Sequence, residues 1–279
     1  MNQYQKVMRD SLEEFIRVCE KHGLQYYLVT GSALGAVRHQ GFIPWDDDID
    51  VAMPRPDAMK LLALKDEFKD PYFLQHYTTD KAFTYPFMKL RNSQTTYIEN
   101  FFQYHRINHG VWIDIFILDG MSRTPTLKNK AKNGWFWILN YLVFAANMYQ
   151  RPTKKTFFPQ LFFSFISLLL WPFKINNWLI KAIDKSMKKI PYDEAELVGA
   201  YLLWGGNKEA MPKTLYGKGV KVKFEDLEVF VPEKYDEYLT RRFGNYMQLP
   251  PENKRYGHHF SKGESTTIGY QEFLKKKRD

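Results

Sequence analysis

Four carboxylates lie within five consecutive positions of the sequence, at Asp46, Asp47, Asp48 and Asp50. Asp48 and Asp50 flank the apolar Ile49, an alternation that predicts a β-strand with both carboxylates on one face. Two carboxylates at such short range repel each other unless a cation lies between them. Ligands made only of oxygen suit Mg²⁺, with Mn²⁺ as the other ion expected. We therefore predict a divalent-metal site in this stretch.

A phosphate-binding turn is predicted just before the acidic stretch. Residues 25–29 have the aromatic and aliphatic character of a buried strand, and Gly31 and Ser32 follow closely. Residues 33–38 predict a short helix that begins at this turn. A glycine lets the backbone approach a phosphate, and the helix N-terminus attracts its charge. Gly31 and Ser32 are therefore candidate phosphate-binding residues.

A further carboxylate, Asp114, interrupts a strand-like segment that is otherwise nearly all apolar, at residues 110–119. Such a run predicts a central strand covered on both faces. A carboxylate buried there is costly unless it is paired or bound to metal. Asp114 is either a hydrogen-bonded core acid or a third metal ligand beside Asp48 and Asp50, and we favour the ligand, which can also accept a hydroxyl proton. Asp119 and Gly120 predict the turn after this strand.

Three more polar residues are candidate site residues. Lys89 and Arg91 alternate with large apolar residues in the predicted strand 86–91, so they would share a face. They either lie on a solvated edge strand or stabilise the phosphates of a donor. His259, in an adjacent histidine pair, either faces solvent on a loop or contributes to the site.

Composition indicates a globular protein with a positive charge. The 279 residues are 44% hydrophobic and 17% aromatic, and the formal net charge is +9. This charge either aids solubility or attracts nucleotides, anionic polymers or an anionic membrane. RNA binding is disfavoured, because no basic patch alternates with stacking aromatics. Cys19 is the only cysteine, which excludes an intrachain disulfide or cysteine zinc site and fits a reducing cytoplasm, and we expect no signal peptide.

Residues 128–189 differ in character from the rest and predict a helical apolar insertion. Two apolar runs occur there, at residues 135–146 and 157–173, and the second carries no charge. Its part between Pro159 and Pro172 is too short to span a membrane, which takes about 20 residues. The runs are flanked by lysines and tryptophans, namely Lys154, Lys155, Lys174, Trp171 and Trp178. This pattern favours helices lying at a membrane surface; the alternatives are a soluble insertion packed on the sheet and a true span.

The remaining segments complete an α+β prediction, a mixed β-sheet with flanking helices. We predict helices at residues 4–22, 58–68 and 232–243, a strand at 72–77, a hairpin at 220–224 and 227–231, and an unstructured basic tail at 275–278. Residues 1–127 and 190–279 would form the catalytic domain, with 128–189 inserted between its two parts.

Several motifs together resemble a known family. A Gly-Ser turn, a short helix and an Asp-apolar-Asp strand resemble the signature of the polymerase-β-like nucleotidyltransferase superfamily. Residues 31–39, 41–50 and 112–116 more closely resemble the LicD family of bacterial phosphorylcholine transferases, which is related to fukutin-type enzymes. Weaker similarity extends to residues 224–232 and 246–251. The resemblance implies a nucleotidyltransferase-like fold and transfer of an alcohol phosphate from a CDP-activated donor to a sugar.

The resemblance also implies substrates and a location. The donor would be CDP-choline or another CDP-alcohol, with glycerol phosphate and ribitol phosphate as alternative groups. The acceptor would be a lipid-linked glycan that leads to teichoic acid, lipopolysaccharide or capsule. The enzyme would be cytoplasmic, at the inner face of the membrane, and Mg²⁺ would be held by Asp48, Asp50 and Asp114. Nucleotidyl transfer to a small molecule or protein is a second hypothesis. A non-enzymatic membrane-binding protein is disfavoured, because unused crowded carboxylates would be destabilising.

The family's chemistry suggests roles for the other candidates. The resemblance favours Lys89 as a contact to the donor phosphates, with Arg91 as a further substrate contact. Arg38, at the end of the short helix, would stabilise the leaving nucleotide. Asp46 and Asp47 would support the metal ligands or face a choline-like cation. Trp45 either contacts a quaternary ammonium through its ring face or only packs.

Overall fold

The described part of the chain is an α+β fold built on a mixed sheet. The computed structural model describes residues 1–103, 105–122, 165, 175–201, 209–257 and 259–276. Its helices are α1 (Gln3–His22), α2 (Thr30–His39), α3 (Arg55–Ala63), α4 (Ile175–Met187), α5 (Lys213–Tyr216), α6 (Tyr235–Phe243) and α7 (Tyr270–Lys276). Its strands are β1 (Tyr27–Leu28), β2 (Asp50–Pro54), β3 (Tyr72–Gln75), β4 (Met88–Asn92), β5 (Thr96–Glu99), β6 (Val111–Met121), β7 (Leu197–Gly199), β8 (Met211–Pro212), β9 (Val220–Phe224), β10 (Leu227–Val231) and β11 (Ser261–Ser265).

Strand β6 is the centre of the main sheet, whose order is β1-β2-β6-β4-β3. It runs parallel to β2 and antiparallel to β4, and all 11 of its residues are buried. The predicted central strand is therefore confirmed. It is longer than predicted, because β7 pairs with its last residues, from Asp119 to Met121. The turn predicted at Asp119 and Gly120 is wrong, since both lie inside the strand.

Strand β4 is also an inner strand, between β6 and β3. Lys89 and Arg91 are 3% and 0% exposed, and both belong to the interior of the protein. The alternative that placed them on a solvated edge strand is therefore wrong.

Helix α1 covers one face of this sheet and packs against β6 and β4. It begins at a capping box between Asn2 and Gln5 and ends at Gly23, whose φ of +60° is the left-handed conformation that glycine adopts most easily. Its apolar side buries Phe15 and Cys19, as predicted. Helix α3 ends before the predicted 58–68 helix does, because a short 3₁₀ turn replaces its last part, at Lys65–Glu67.

The chain after residue 190 returns to the sheets of the first part. β7 pairs with β6, and β11 pairs with β5, while β9 and β10 form the predicted hairpin. Helix α6 ends at Phe243 as predicted, before Gly244. The basic tail was predicted to lack structure, but its first residues, Lys275 and Lys276, are the end of α7.

Most of the predicted insertion, including nearly all of both apolar runs, lies outside the described residues. Helix α4 is its described part, and it is fixed to the sheet by polar contacts. Asp184 pairs with Arg55 at 2.9 Å and accepts a hydrogen bond from the Tyr77 hydroxyl at 2.9 Å. Within the described ranges, every helix is too short or too polar to cross a bilayer. The domain boundaries and the membrane-surface position of the insertion stay predictions.

Candidate active site

The parallel pairing of β2 with β6 brings the predicted triad to one end of the two strands. Asp50 and Asp114 are register partners, and the Asp114 backbone N–H donates to the Ile49 carbonyl at 2.8 Å. Neighbouring strands lie about 4.8 Å apart, so these two carboxylates leave the backbone at adjacent positions. Asp48 precedes Asp50 by two residues, and its charge acts directly on Asp50. The structure therefore brings Asp48, Asp50 and Asp114 into one cluster.

Crowding raises the pKa values of three carboxyl groups in this stretch. Burial and the charges of Asp50 and Asp47 raise the pKa of Asp46 to about 7. Burial and the charge of Asp46 raise the pKa of Asp48 to about 8. Burial, with the charges of Asp48 and Asp114, places the pKa of Asp50 well above its ordinary value. A bound divalent cation would favour the charged form of each group and so reverse these shifts.

Asp114 leaves one carboxylate oxygen without a hydrogen bond. Its Oδ2 accepts a hydrogen bond from Trp112 Nε1 at 2.8 Å. Its Oδ1 is buried and accepts no hydrogen bond from the described residues. Lys89 Nζ lies 3.2 Å from this oxygen and forms an ion pair with it. A buried carboxylate oxygen with unused capacity is costly, and a cation would satisfy it. The chemistry of this oxygen therefore suits a cation, although the ligand atoms of Asp48, Asp50 and Asp114 do not all lie within 4.8 Å of one another.

Helix α2 supplies the groups that hold Asp50. The Ser32 hydroxyl accepts the Asp50 backbone N–H at 2.8 Å, and the Thr30 hydroxyl donates a short hydrogen bond to the Asp50 carboxylate. Gly31 lies beside Asp46, since a Cβ on Gly31 would meet Asp46 Oδ2 at 3.0 Å. The predicted turn is therefore at the acidic cluster, at the first turn of α2.

Thr30 is a site residue that the sequence analysis missed. Its φ is +51°, a conformation that is strained for a β-branched residue. Its backbone N–H donates to the hydroxyl of Tyr238 in α6 at 3.1 Å, which helps to hold this conformation. The only sequence signal was a hydroxyl next to the Gly-Ser turn, and a hydroxyl there is too common to assign a role.

Lys89 and Arg91 share a second carboxylate, Glu99 of β5. Lys89 Nζ lies 2.9 Å from Glu99 Oε1 and 4.0 Å from the centre of the Trp112 ring. Arg91 donates to Glu99 Oε2 at 2.6 Å, and also to Gln75 and the Gly110 carbonyl. Burial raises the pKa of Glu99, but the two cations outweigh it and hold the pKa at about 2. Lys89 therefore reaches the acidic cluster, while the guanidinium of Arg91 lies in a structural network behind it.

His259 joins the acidic stretch from near the end of the chain. Its Nδ1 lies 3.0 Å from Asp47 Oδ1 and 3.8 Å from Asp48 Oδ2. One ligating atom from each of these three residues lies within 4.8 Å of the others, so this group could hold a metal; among the described residues, Asp48, Asp50 and Asp114 do not meet that spacing. Burial lowers the pKa of His259, but the hydrogen bond to Asp47 and the charge of Asp48 raise it to about 9. In the metal-free protein the imidazolium therefore offsets part of the acidic charge.

A close backbone approach positions His259. A Cβ on Gly257 would lie 2.3 Å from Asp47 Oδ2, so glycine is required for this loop to pass the acidic stretch. The backbone N–H of His259 then donates to the same oxygen at 2.8 Å. His259 is therefore a half-buried member of the site rather than a solvent-facing loop residue. Its neighbour, residue 258, lies outside the described residues.

Arg38 and Trp45 make their contacts with residues outside the acidic stretch. Arg38 lies about 12 Å along the α2 axis from Thr30, and its guanidinium donates to the Tyr246 carbonyl at 2.6 Å. Trp45 is half-buried, with the guanidinium of Arg255 5.5 Å from its ring centre. Neither residue contacts Asp48, Asp50 or Asp114 in the described structure. Trp45 already has a cation on its ring, which weakens its case as a cation-binding residue.

A small cavity borders this region, whereas a larger one does not. A cavity of about 160 Å³ is lined by Asp46, Asp47 and Trp112, together with residues of α1, β5 and β11. A larger cavity of about 1540 Å³ lies between residues 92–95, residues 103–109 and α7. No predicted site residue lines the larger cavity. The smaller one is therefore the cavity that adjoins the acidic cluster.

Comparison with known proteins agrees with the motif-based resemblance. Residues 23–165, just over half of the chain, match the family described as LicD/FKTN/FKRP, nucleotidyltransferase domain. This segment contains the acidic stretch, Lys89 and Asp114.

Two curated relatives extend the comparison. The lipopolysaccharide cholinephosphotransferase LicD of Haemophilus influenzae is 27% identical over 274 residues, which cover 93% of this chain and 96% of that protein. The ribitol 5-phosphate transferase FKRP of Mus musculus is 40% identical over 53 residues, which cover 19% of this chain and 11% of that protein. The predicted relation to fukutin-type enzymes is thus confirmed, and the chain belongs to the LicD family and is a transferase.

Proposed function

We propose that this protein transfers phosphocholine, or a similar alcohol phosphate, from a CDP-activated donor to a sugar hydroxyl of a cell-surface glycopolymer precursor. The observation that carries the proposal is the pairing of Asp50 with Asp114 across β2 and β6, with Asp48 and Lys89 beside them. The similarity to a cholinephosphotransferase over nearly its whole length supports the reaction class. A nucleotidyltransferase-like fold is part of this proposal and is supported by the description of the matching family.

We assign Asp48, Asp50 and Asp114 as the metal ligands, with Mg²⁺ as the first choice and Mn²⁺ as the alternative. The unused buried oxygen of Asp114 and the upward pKa shifts of Asp48 and Asp50 support this assignment. Bound there, the cation would neutralise the donor's diphosphate and stabilise charge during an in-line displacement. Asp46, Asp47 and His259 would adjust the charge around these ligands.

The chain's own residues then orient and deprotonate the reactants. The acceptor hydroxyl oxygen bonds to the alcohol-bearing phosphorus, the bond from that phosphorus to the bridging oxygen breaks, and CMP leaves with the electron pair. The hydroxyl proton passes to Asp114. Lys89, held by Glu99, stabilises negative charge on the transferring group. Gly31 and Ser32, in the first turn of α2, seat the donor phosphates. Arg38, near the end of α2, would contact the nucleotide of a donor that extends along this helix.

Transfer of ribitol phosphate or glycerol phosphate is the main alternative. The local similarity to a ribitol 5-phosphate transferase favours it. That match covers a small part of either protein, whereas the match to the cholinephosphotransferase covers both almost completely. Nucleotidyl transfer to a small molecule or protein is the remaining alternative, favoured by the family's description alone.

We also propose that the enzyme acts at the inner, cytoplasmic face of the membrane on a lipid-linked acceptor. Helix α4 supports this position, because Trp178 is 60% exposed and Lys181 and Lys185 are exposed beside it. These three residues have the spacing of one helix face. An exposed indole among lysines suits the interface of an anionic bilayer.

The test is CMP release from CDP-choline, CDP-glycerol and CDP-ribitol, with a purified glycolipid acceptor and Mg²⁺. We expect the greatest turnover with CDP-choline and none after addition of EDTA. Asp48→Asn and Asp114→Asn should each lower kcat/KM by roughly a hundredfold or more. Asp66→Asn, a change at a carboxylate that is 88% exposed, is the matched control and should not alter it. Full activity in the Asp114→Asn variant, with its circular dichroism unchanged, would contradict the assignment.

A further inference from the structure

The small cavity beside the acidic stretch has an unusual lining of aromatic rings and carboxylates. Three rings and three acids carry the inference, namely Tyr4, Tyr97, Trp112, Asp46, Asp47 and Glu264. The cavity volume is about 160 Å³. A cavity of about 150 Å³ holds a molecule of benzene, so this one has room for a small organic headgroup.

The three rings form a continuous aromatic wall. The Tyr4 and Tyr97 ring centres are 5.9 Å apart with planes at 83°, and those of Tyr97 and Trp112 are 5.2 Å apart with planes at 72°. Because neighbouring rings stand nearly perpendicular, their faces point in more than one direction, and the cation Lys89 lies over the ring of Trp112, 4.0 Å from its centre. Ring faces arranged around one space are the usual recognition surface for quaternary ammonium groups.

The charge in this cavity is negative. Asp46, Asp47 and Glu264 provide three carboxyl groups, and His259 offsets part of the charge of Asp47. Burial raises the pKa of Tyr97, and the charges of Asp47 and Glu264 raise it further, so the negative potential reaches the aromatic wall. A cationic ligand would gain from this potential, whereas a neutral polyol would not.

The cavity adjoins the place where the phosphate would bind. Asp46 and Asp47 immediately precede Asp48 in the chain. Trp112 lies two residues before Asp114 on β6, about 7 Å along the strand, and its Nε1 donates to the Asp114 carboxylate at 2.8 Å. A phosphate at the acidic cluster and a cationic group in the cavity therefore fit the two ends of one short alcohol phosphate.

We propose that this cavity binds the quaternary ammonium end of the transferred alcohol and so selects a cationic cargo over a neutral polyol. The inference rests on the proposed function and deepens it, because it assigns the cargo's chemical class to particular residues. It assigns the cation contact chiefly to Tyr4 and Tyr97 rather than to Trp45, whose ring faces Arg255. Trp112 closes the wall, but Lys89 Nζ already lies 4.0 Å from its ring centre. Glu264 is the acid that lies farthest in sequence from the metal ligands, which makes it a separable part of the site.

The test compares two ligands of nearly identical shape by calorimetry in the presence of Mg²⁺. Phosphocholine carries a quaternary nitrogen, and neohexyl phosphate has carbon in its place and no positive charge. We expect the full chain to bind phosphocholine about tenfold or more tightly than neohexyl phosphate. Tyr97→Leu should reduce this preference to about threefold or less, and Glu264→Gln should lower it in part. Tyr97→Phe, which keeps the ring, should retain it.

Tyr270→Leu is the matched control, since Tyr270 lines the larger cavity, and it should leave the preference unchanged. Equal affinities for the two ligands, no measurable phosphocholine binding, or an equal effect of Tyr270→Leu and Tyr97→Leu would each overturn the inference. The proposed function has its own readout, CMP release from CDP-choline. Turnover without a preference for the charged ligand would remove the cavity assignment alone. A preference that depends on Tyr97, without turnover of any CDP-alcohol, would instead refute the proposed function and keep the cation site.

Discussion

The carboxylates of Asp46, Asp48 and Asp50 are crowded together at a cost to the stability of the metal-free fold. Their raised pKa values mean that the folded protein holds protons that the unfolded chain would release at neutral pH. Thr30, with its left-handed backbone, adds local strain at the same point. Strain and charge repulsion gathered at one cluster are typical of a functional site.

The first prediction concerns Asp48, whose folded-state pKa is about 8 against an ordinary value of 3.8. Because the folded state binds this proton more tightly, unfolding free energy should fall as pH rises from about 4 to 8. Asp48→Asn removes that loss, so in EDTA the variant should be more stable than the wild type at pH 8, by at least about 1 kcal/mol. Urea unfolding at several pH values measures this difference.

The matched control for that experiment is Asp66→Asn, on the surface. It should leave the pH dependence of unfolding unchanged. If Asp48→Asn lowers stability at pH 8 in EDTA, the account of crowded carboxylates is wrong.

At the scale of single residues, the sequence predicted the site where the local alternation of apolar and polar residues determines which way a side chain points. The position of Asp48 relative to Asp50, and the cost of Asp114 in an apolar run, followed from residues close in the chain. The roles of Thr30, Glu99 and His259 depend on contacts with distant segments, such as the pairing of β5 with β11. No local sequence pattern indicates such contacts. Lys89 and Arg91 of β4 could therefore be interpreted either as solvated edge-strand residues or as contacts to donor phosphates.

At the scale of secondary structure, β4 of the main sheet and β5 of a separate two-stranded sheet together support the site. Glu99 receives both Lys89 and Arg91, and its side chain is 13% exposed. Lys89 in turn contacts Asp114. Through Glu99, the ion pairs between these two strands therefore fix Arg91 in the core relative to Lys89, which faces the acidic cluster.

The second prediction tests this support with Glu99→Gln. Two buried cations would lose their carboxylate partner, and breaking a buried ion pair in this way costs about 3–5 kcal/mol. The effect should appear in urea unfolding at pH 7 and shrink toward pH 2, because Glu99 contributes stability only above its low folded-state pKa. Glu264→Gln, a carboxylate in the neighbouring strand, is the control. Equal stability of the two variants would mean that the network is not a support.

The order of the elements was largely predictable, because strands and helices follow short-range hydrophobic patterns. The central β6, the β9–β10 hairpin and the C-terminal ends of α1 and α6 are examples, whereas α6 begins at Tyr235 rather than at the predicted residue 232. The ends of α3 and β6 were not predictable from the sequence, because tertiary contacts determine them. Arg55 at the start of α3 pairs with Asp119, and β7 extends the ladder past the Asp-Gly pair that otherwise signals a turn.

At the scale of the whole molecule, Arg55 joins two parts of the chain. It pairs with Asp119 of β6 and with Asp184 of α4, whose side chains are 1% and 7% exposed. Burial raises the pKa of Asp119, because its charged form is less stable inside the protein than in water. The contact links the described end of the predicted insertion to the main sheet.

The third prediction is that Arg55→Ala destabilises the fold by about 3–5 kcal/mol, because the buried carboxylate of Asp119 loses its ion-pair partner and Asp184 keeps only Lys188. The double variant Arg55→Met with Asp119→Leu should recover part of this loss, since it removes a buried charge together with its partner. Thermal unfolding measures the stability of the single variant and of the double variant against the wild type. A change of less than about 0.5 kcal/mol for Arg55→Ala would contradict the proposed link.

The fourth prediction concerns the exposed face of α4. Trp178→Ala should lower the fraction of the full chain that floats with anionic liposomes, and added salt should lower it further, because lysines on the same face contribute by charge. Phe243→Ala, at another exposed aromatic, is the matched control. Equal flotation of both variants and the wild type would remove α4 from the membrane proposal.

The most direct test of the central claim is a titration of the protein with Mn²⁺, in which electron paramagnetic resonance measures the free ion in the presence of CDP-choline. The account predicts that Asp50→Asn and Asp114→Asn each weaken Mn²⁺ binding by at least about tenfold, while Asp66→Asn binds like the wild type. His259→Gln distinguishes the proposed triad from the group formed by Asp47, Asp48 and His259. It should weaken Mn²⁺ binding less than Asp114→Asn does. Unchanged Mn²⁺ affinity in the Asp50→Asn and Asp114→Asn variants would contradict the account.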